Sequence, residues 1–231
     1  HYDTAKRAPA KSLCFVRFMF NAPRAVFMTH QDAIRIVLVG TQHPGNIGSA
    51  ARAMKTMGLQ QLVLVAPQRY PDPEASALAA GAEDLLSQAA VVSTTAQALE
   101  GCTFVIGTSS RARSVSLPEF TPRIAAGQLY EKSKRSPVAL VFGPERTGLL
   151  NQDLQLCHGC VLIPSNPEYP SLNLAAAVQI LSYEIRLQSL QDSSTAPVVL
   201  NTDEEQPATF EQMERLFAHL AEFMDEVDFH K

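Results

Sequence analysis

Three segments of the chain carry residues whose types and spacing suit chemistry on a bound ligand beside an anionic partner. The first runs Thr41-Gln-His-Pro-Gly-Asn-Ile-Gly-Ser-Ala-Ala-Arg52. Asn46 is a good helix N-cap, and Ile47, Ala50, Ala51, Met54 and Met57 form one apolar stripe before Gly58 ends the helix. Arg52 projects away from that stripe. Helical Cβ atoms lean toward the N-terminus, so its guanidinium can swing back over the Gly45-Asn46 turn, about 9 Å along the axis. A charge and an amide then meet at a helix N-terminus; the plainer reading is a solvated arginine after a tight glycine turn. Gly45 and Gly48 do not have G-x-G-x-x-G spacing and no G-K-[ST] follows, which argues against a Rossmann cofactor or a P-loop.

The second segment, Val138-Ala-Leu-Val-Phe-Gly-Pro-Glu-Arg-Thr-Gly148, is an apolar strand that breaks at Gly143 and puts Glu145 and Arg146 into the loop. Gly143 and Pro144 let backbone approach a ligand closely, although any strand-to-helix turn can read this way. The third, Val161-Leu-Ile-Pro-Ser-Asn-Pro-Glu-Tyr-Pro-Ser-Leu-Asn173, reads as a strand, a proline-stiffened loop and a helix from Leu172 to Leu190 capped by Ser171. That helix is apolar on most sides, so it is expected to be deeply buried or to lie in a subunit interface. On the plainer reading Ser171 is only a cap and Asn173 only a first-turn residue. Cys157-His-Gly-Cys160 is one C-x-x-C pair without a second, which reads as a helix end and strand start; no metal is expected.

The elements that must position these segments follow from periodicity. Strands are expected near Ile34–Val39, Leu62–Val65, Thr103–Ile106, Val138–Phe142 and Val161–Pro164. Helices are expected over Ile47–Met57, Ala75–Ala89, Arg123–Ser133, Leu149–Cys157 and Leu172–Leu190. Alternation of this kind gives an α/β fold, a parallel sheet with helices on both faces, with ligands beyond the carboxyl ends of the strands.

The chain has 231 residues, enough for one sizeable core. Residues 1–30 read as an upstream extension or cloning-derived segment with little structure, 31–190 as the folded domain and 191–207 as a linker. Residues 208–231 read as an acidic amphipathic helix, with Phe210, Met213, Leu216, Phe217, Leu220 and Met224 at helical spacing. Net charge is −4, but it is uneven: +4 over the first 27 residues, 0 over 28–191 and −8 over 192–231. A neutral body with local groups of bases does not exclude a nucleic-acid partner. No apolar run reaches the roughly 18–20 residues of a membrane span. Four scattered cysteines suit a reducing compartment, and the cytoplasm is expected.

Taken in order, Asn46-x5-Arg52, Phe142-Gly-Pro-Glu-Arg-x-Gly148 and Ile163-Pro-x6-Ser171-Leu-Asn173 resemble the three signature motifs of the SPOUT RNA 2′-O-methyltransferases, in their TrmH-like branch. Further stretches, among them Ala51-Arg-Ala-Met-Lys-Thr-Met-Gly-Leu and Asn166-Pro-Glu-Tyr-Pro-Ser-Leu-Asn-Leu-Ala, are similar to the bacterial TrmJ-type enzymes, which methylate the ribose of nucleotide 32 in tRNA. The likeness covers Ile34 to Leu190. It implies a C-terminal trefoil knot, S-adenosylmethionine as cofactor, tRNA as partner and a homodimer in which Arg52 of one subunit faces the cofactor of the other.

By motif match, the resemblance places the cofactor among Thr108, Ser109 and Ser110, the turn Gly143, Pro144 and Glu145, the strand end Ile163 and Pro164, and Ser171, Leu172 and Asn173. The catalytic set it implies is Arg52, Asn46, Glu145, Ser171 and Asn173. Arg52 would meet a developing alkoxide or hold a neighbouring phosphate. A guanidinium normally keeps its proton, so the general base is left unassigned. Arg111, Arg113 and Arg146, with Arg52, are the candidate RNA contacts. A ribosomal RNA substrate, a non-catalytic RNA-binding protein of this fold, and a nucleotide-binding enzyme of ordinary α/β topology stand as alternatives.

Overall fold

The computed structural model describes residues 30–110, 117–192 and 207–226. Two runs with side chains buried on both faces, one broken only by Arg35, set the middle of the sheet. These are β1 (Ile34–Val39) and β6 (Val138–Phe142), which pair in parallel from Ile34↔Val138 to Leu38↔Phe142. Strands packed on both faces read as continuous hydrophobic runs because neither face meets water. Outward from β1 lie β2 (Gln61–Val65) and β3 (Ala90–Val92). Outward from β6 lie β4 (Phe104–Ser109), β7 (Gly159–Leu162) and β5 (Glu119–Phe120). The order is β3-β2-β1-β6-β4-β7-β5, and every described pairing is parallel. Two strands late in the chain therefore insert between strands formed from earlier sequence: β6 between β1 and β4, and β7 between β4 and β5.

Helices cover both faces. On one, α1 (Pro44–Thr56), α5 (Pro122–Ser133) and α7 (Leu174–Gln191) pack on Ile34, Ile36, Leu38, Leu140 and Phe142, with α7 against both α1 and α5. Outside α1 lie α2 (Pro73–Ala79) and α3 (Glu83–Gln88). On the other face, α4 (Thr95–Ala98) and α6 (Asn151–Leu154) bury Ala98, Leu99 and Leu154 against Val37, Val105 and Val141. Asp153, buried, accepts a hydrogen bond from the Thr95 hydroxyl at 2.6 Å and so ties α6 to α4.

The C-terminal helix α8 (Phe210–Glu226) docks on this second face through its first residues. Phe210 is buried there, its N–H donates to the Cys102 carbonyl, and Glu211 accepts from the Gly101 N–H. Leu216, Phe217, Leu220 and Phe223 stay exposed. The amphipathic appendage expected for residues 208–231 thus starts as a helix at Phe210. Most of 191–207 and nearly all of 1–30 lie outside the described residues.

Several boundaries differ from the sequence reading. The single helix expected over Ala75–Ala89 is two, because Ala80 and Gly81 take positive φ. The short strands β3 and β5 and the single turn α4 carry too few residues to show a period. Helix α6 is one turn rather than Leu149–Cys157, since Leu149 is drawn into the core and Cys157 leads directly into β7. Helix α7 starts at Leu174, not Leu172, and its cap is Asn173, not Ser171. The Asn173 Oδ1 accepts from the N–H groups of Ala175 and Ala176, while Ser171 and Leu172 continue the preceding loop. Helix α1 starts at Pro44, not Ile47, and Asn46 lies inside its first turn rather than capping it. Proline suits that first position because its fixed φ fits the helix and it lacks an N–H that would go unpaired.

Helices α1 and α2 touch backbone to backbone at Gly48, where an added Cβ would stand 2.0 Å from the Ala75 carbonyl oxygen. Gly48→Ala is therefore expected to push α2 off α1 and to lower unfolding free energy by about 1–3 kcal/mol, the usual range for overpacking. Denaturant melts of the variant check this, and an unchanged midpoint would contradict the close packing.

Candidate functional site

Because the strands are parallel, the turns after β1, β4, β6 and β7 all leave at one edge of the sheet. Contacts inside those turns bring them together. The turn after β6 folds tightly at Gly143, where a Cβ would stand 2.1 Å from the Leu149 nitrogen, and it closes with a Gly148 N–H to Pro144 carbonyl bond of 2.8 Å. Pro144 in turn packs on the turn after β1, its Cγ 3.1 Å from where a Cβ on Gly40 would stand.

One carboxylate fixes the rest. Glu145 accepts hydrogen bonds from the backbone N–H of Gln42 (3.0 Å) and His43 (3.3 Å) and from the Asn46 side-chain amide (2.7 Å). Asn46 then accepts from the Asn173 amide at 2.9 Å through its own Oδ1. Asn173 uses its remaining oxygen to cap α7. The three sequence segments are thus joined by one chain of hydrogen bonds, Glu145 to Asn46 to Asn173. Asn46 does not cap α1 because its oxygen and nitrogen are both committed to this chain. Burial raises the pKa of Glu145, but the hydrogen bonds from Asn46, Gln42 and His43 outweigh it and hold the carboxyl below its usual 4.5.

Beside this chain lies a cavity of about 380 Å³. Its walls come from Thr108, Ser109 and Ser110 after β4, from Phe142 to Gly148 after β6, from Ile163 after β7, and from Pro170, Ser171, Leu172, Leu174 and Ala177 at the start of α7. Of the expected cofactor residues, the structure gathers Thr108, Ser109, Ser110, Gly143, Pro144, Glu145, Ile163, Ser171 and Leu172 around one space. Pro164 instead lines an adjoining hollow that shares Ser110, Ile163 and Pro170 with it. Asn173 frames the cavity through its bonds to Asn46 and α7 and is not in its lining.

Arg146 lines the cavity and is exposed, whereas Arg52 does not line it. Arg52 is exposed on α1 and makes no hydrogen bond or ion pair among the described residues. Arg111 and Arg113 lie outside the described residues.

The cavity is also lined by Thr147, Pro170, Leu174 and Ala177, which the sequence does not single out, and by Phe142 and Gly148, which it places in a motif but not in the cofactor set. Leu174 and Ala177 sit three residues apart, so they share a face of α7. Nor does any side-chain pattern signal that the backbone of Gln42 and His43 is tied to Glu145. Among the described residues no group of His, Cys, Asp and Glu is placed to hold a metal ion, and Cys102, Cys157 and Cys160 are buried and not joined in disulfides. Among them, too, no helix is long and apolar enough to cross a membrane.

Comparison with known proteins agrees with this geometry. The model of the SpoU rRNA methylase family matches residues 33–183. The tRNA (cytidine/uridine-2′-O-)-methyltransferase TrmJ of Yersinia enterocolitica is 48% identical over 196 residues, which cover 85% of this chain and 76% of that protein. The crystal structure of TrmJ from Z. mobilis superposes with a TM-score of 0.73 at 39% identity, covering 84% of this chain and 81% of that one. The Streptomyces viridochromogenes SpoU methyltransferase AviRb, solved in complex with AdoMet, shares the fold with a TM-score of 0.55 at 23% identity, over 67% of this chain and 57% of that one.

The Glu145 bonds have a pH signature. A carboxyl whose folded pKa is depressed gives stability that is fully present above its unfolded pKa and is lost as pH falls through the folded value. Glu145→Gln should accordingly lower Tm at neutral pH, with the gap to the parent protein closing as pH falls below 4.5. A gap that stays constant down to about pH 3 would contradict an ionised Glu145 at this junction.

Proposed function

We propose, on the premise that this chain belongs to the SpoU rRNA methylase family, that it transfers the methyl group of S-adenosylmethionine to the ribose 2′-hydroxyl of a cytidine or uridine in tRNA, at nucleotide 32 of the anticodon loop. The observation that carries this reading is the Glu145–Asn46–Asn173 chain, which unites three motif segments beside one cavity.

The cavity suits the cofactor. Its volume, about 380 Å³, lies in the range of small-molecule sites. Ile163, Leu172, Leu174 and Ala177 give an apolar wall for a flat base, and the Thr108–Ser110 and Gly143–Glu145 loops give polar backbone and hydroxyl groups for an amino-acid moiety. Bound there, the cofactor would supply a sulfonium methyl to which a ribose 2′-oxygen can bond as the carbon–sulfur bond breaks and the hydroxyl proton is released to solvent.

The residues of this chain hold and orient. Alignment of two reactants alone is worth up to about 7–11 kcal/mol, which fits a site built as a rigid frame. The Arg52 guanidinium stabilises negative charge developing on the ribose oxygen or grips the adjacent phosphate through two N–H groups. Arg146 at the rim contacts RNA phosphates, and Arg111 and Arg113, which follow β4 in the sequence, serve the same strand.

Arg52 is exposed and outside the lining of its own cavity, which supports its serving the cavity of a second copy in a homodimer. Tyr169 and Leu172 in the loop before α7, and Tyr183 and Leu190 along it, are exposed large hydrophobics that such an interface would cover. The late insertion of β6 and β7 between earlier strands supports the trefoil knot expected of the family. A tRNA substrate puts the enzyme in the cytoplasm.

Incubating the protein with S-adenosylmethionine and either a tRNA or a ribosomal RNA fragment, then mapping products by nucleoside mass spectrometry, tests the reading. The expected product is 2′-O-methylcytidine or 2′-O-methyluridine at tRNA position 32; methylation of ribosomal RNA alone would overturn the substrate. Arg52→Ala should lower turnover at least ~100-fold, as loss of a charge-stabilising group does, with S-adenosylmethionine affinity by calorimetry nearly unchanged. Lost cofactor binding in that variant would remove Arg52 from the catalytic role.

A further inference from the structure

The loop between β2 and α2, residues 66–72, runs along the same edge of the sheet as the cavity turns and is pinned to the body at several points. The Gln68 N–H donates to the Thr41 carbonyl at 3.0 Å, just after β1. The Tyr70 hydroxyl donates to the Leu86 carbonyl at the end of α3. Asp72 caps α2 by accepting from the Glu74 N–H at 2.9 Å, and α2 itself lies backbone to backbone on α1. From this fixed loop the Arg69 side chain extends into solvent, 60% exposed.

Its position relative to the site follows from Glu74. One Glu74 oxygen is 3.5 Å from the Arg69 guanidinium, and the other is 2.8 Å from where a Cβ on Gly45 would stand. A single carboxylate therefore separates Arg69 from the first turn of α1, the turn that carries Asn46. Arg69 and Arg52 both lie at α1, one beside its first turn and one on its exposed side.

The pairs that Arg69 makes are long, 3.8 Å to Asp72 and 3.5 Å to Glu74, against roughly 2.7–2.9 Å for charge-assisted hydrogen bonds. They orient the guanidinium without occupying its five donors, and exposed pairs of this kind cost little to exchange.

We propose that Arg69 is a phosphate-binding residue for the RNA strand, gripping a backbone phosphate that flanks the ribose presented to Arg52. The inference rests on the RNA-methylating reading of the site. A planar fork on a preorganised, solvent-facing loop matches a phosphate in shape, the phosphate displacing the long Asp72 and Glu74 pairs, and arginine grips phosphate with two parallel bonds where lysine offers only a point charge. The contact reads no base; it fixes where the strand lies.

The test compares Arg69→Ala, Arg69→Lys and the control Lys55→Ala in the full chain, with tRNA as substrate. Lys55 is an equally charged base at the opposite end of α1, paired with Asp84 at 2.7 Å. Arg69→Ala should raise KM for tRNA about 5- to 10-fold, leaving kcat, S-adenosylmethionine affinity and Tm unchanged, and should flatten the plot of log affinity against log salt by about 0.7–0.9. Arg69→Lys should recover most of the salt slope but only part of KM, and Lys55→Ala should match the parent protein.

Arg69→Ala behaving like Lys55→Ala would overturn the proposal. So would a lowered Tm with the KM effect unrepaired by lysine, which would mark a structural role. Absence of RNA methylation by the parent protein would instead overturn the proposed function, so the two failures are distinguishable.

Discussion

Everything at the functional edge of this molecule depends on where the Glu145 carboxylate goes. It lines the cavity from the turn after β6, yet its oxygens are taken by the turn that opens α1: two backbone N–H groups and the Asn46 amide. An anion beside a helix N-terminus is favoured by the helix dipole as well as by these bonds. Asn46 then passes the constraint to Asn173, and through that residue to the start of α7. Three segments, linked across 99 and 127 residues of chain, are held in register by side chains that have little freedom to do anything else. A site that works by alignment needs that rigidity more than it needs reactive groups.

The same constraint decides which way α1 faces. With its first turn tied to Glu145, its apolar stripe buried against β1 and α7, and Gly45 and Gly48 facing α2, the helix leaves Arg52 exposed. Arg52 is exposed and does not line the cavity of its own copy. Under the proposed homodimer the frame has a second purpose, presenting that group to a neighbour's cavity at a fixed angle.

Much of this was legible in the sequence. The strands β1, apolar but for Arg35, and β6, apolar from end to end, are read with their observed bounds, and the turns that follow β4, β6 and β7 do enclose one space. What escaped has physical reasons. Asn46 and Ser171 look like caps because their residue types favour caps, but tertiary bonds claim Asn46 and put the actual cap of α7 at Asn173. The alanine-rich stretch from Ala75 to Ala89 keeps helical propensity through a break made by two residues of positive φ. Backbone donors such as those of Gln42 and His43 leave no trace in residue type at all. The motif resemblance, not periodicity, named Glu145 as a site residue, and only the geometry explains what it does there.

The proposed active site is composite, with a cavity from one copy and an arginine from another. Mixing two inactive variants under conditions that exchange subunits tests it most directly: Arg52→Ala, which keeps the cavity, and Ser110→Trp, which blocks it and is verified by loss of S-adenosylmethionine binding. Exchange leaves half the dimers with one complete site, so tRNA methylation should return to roughly a quarter of the parent rate. Mixtures no more active than the separate variants, with heterodimers demonstrated by native mass spectrometry, would contradict it.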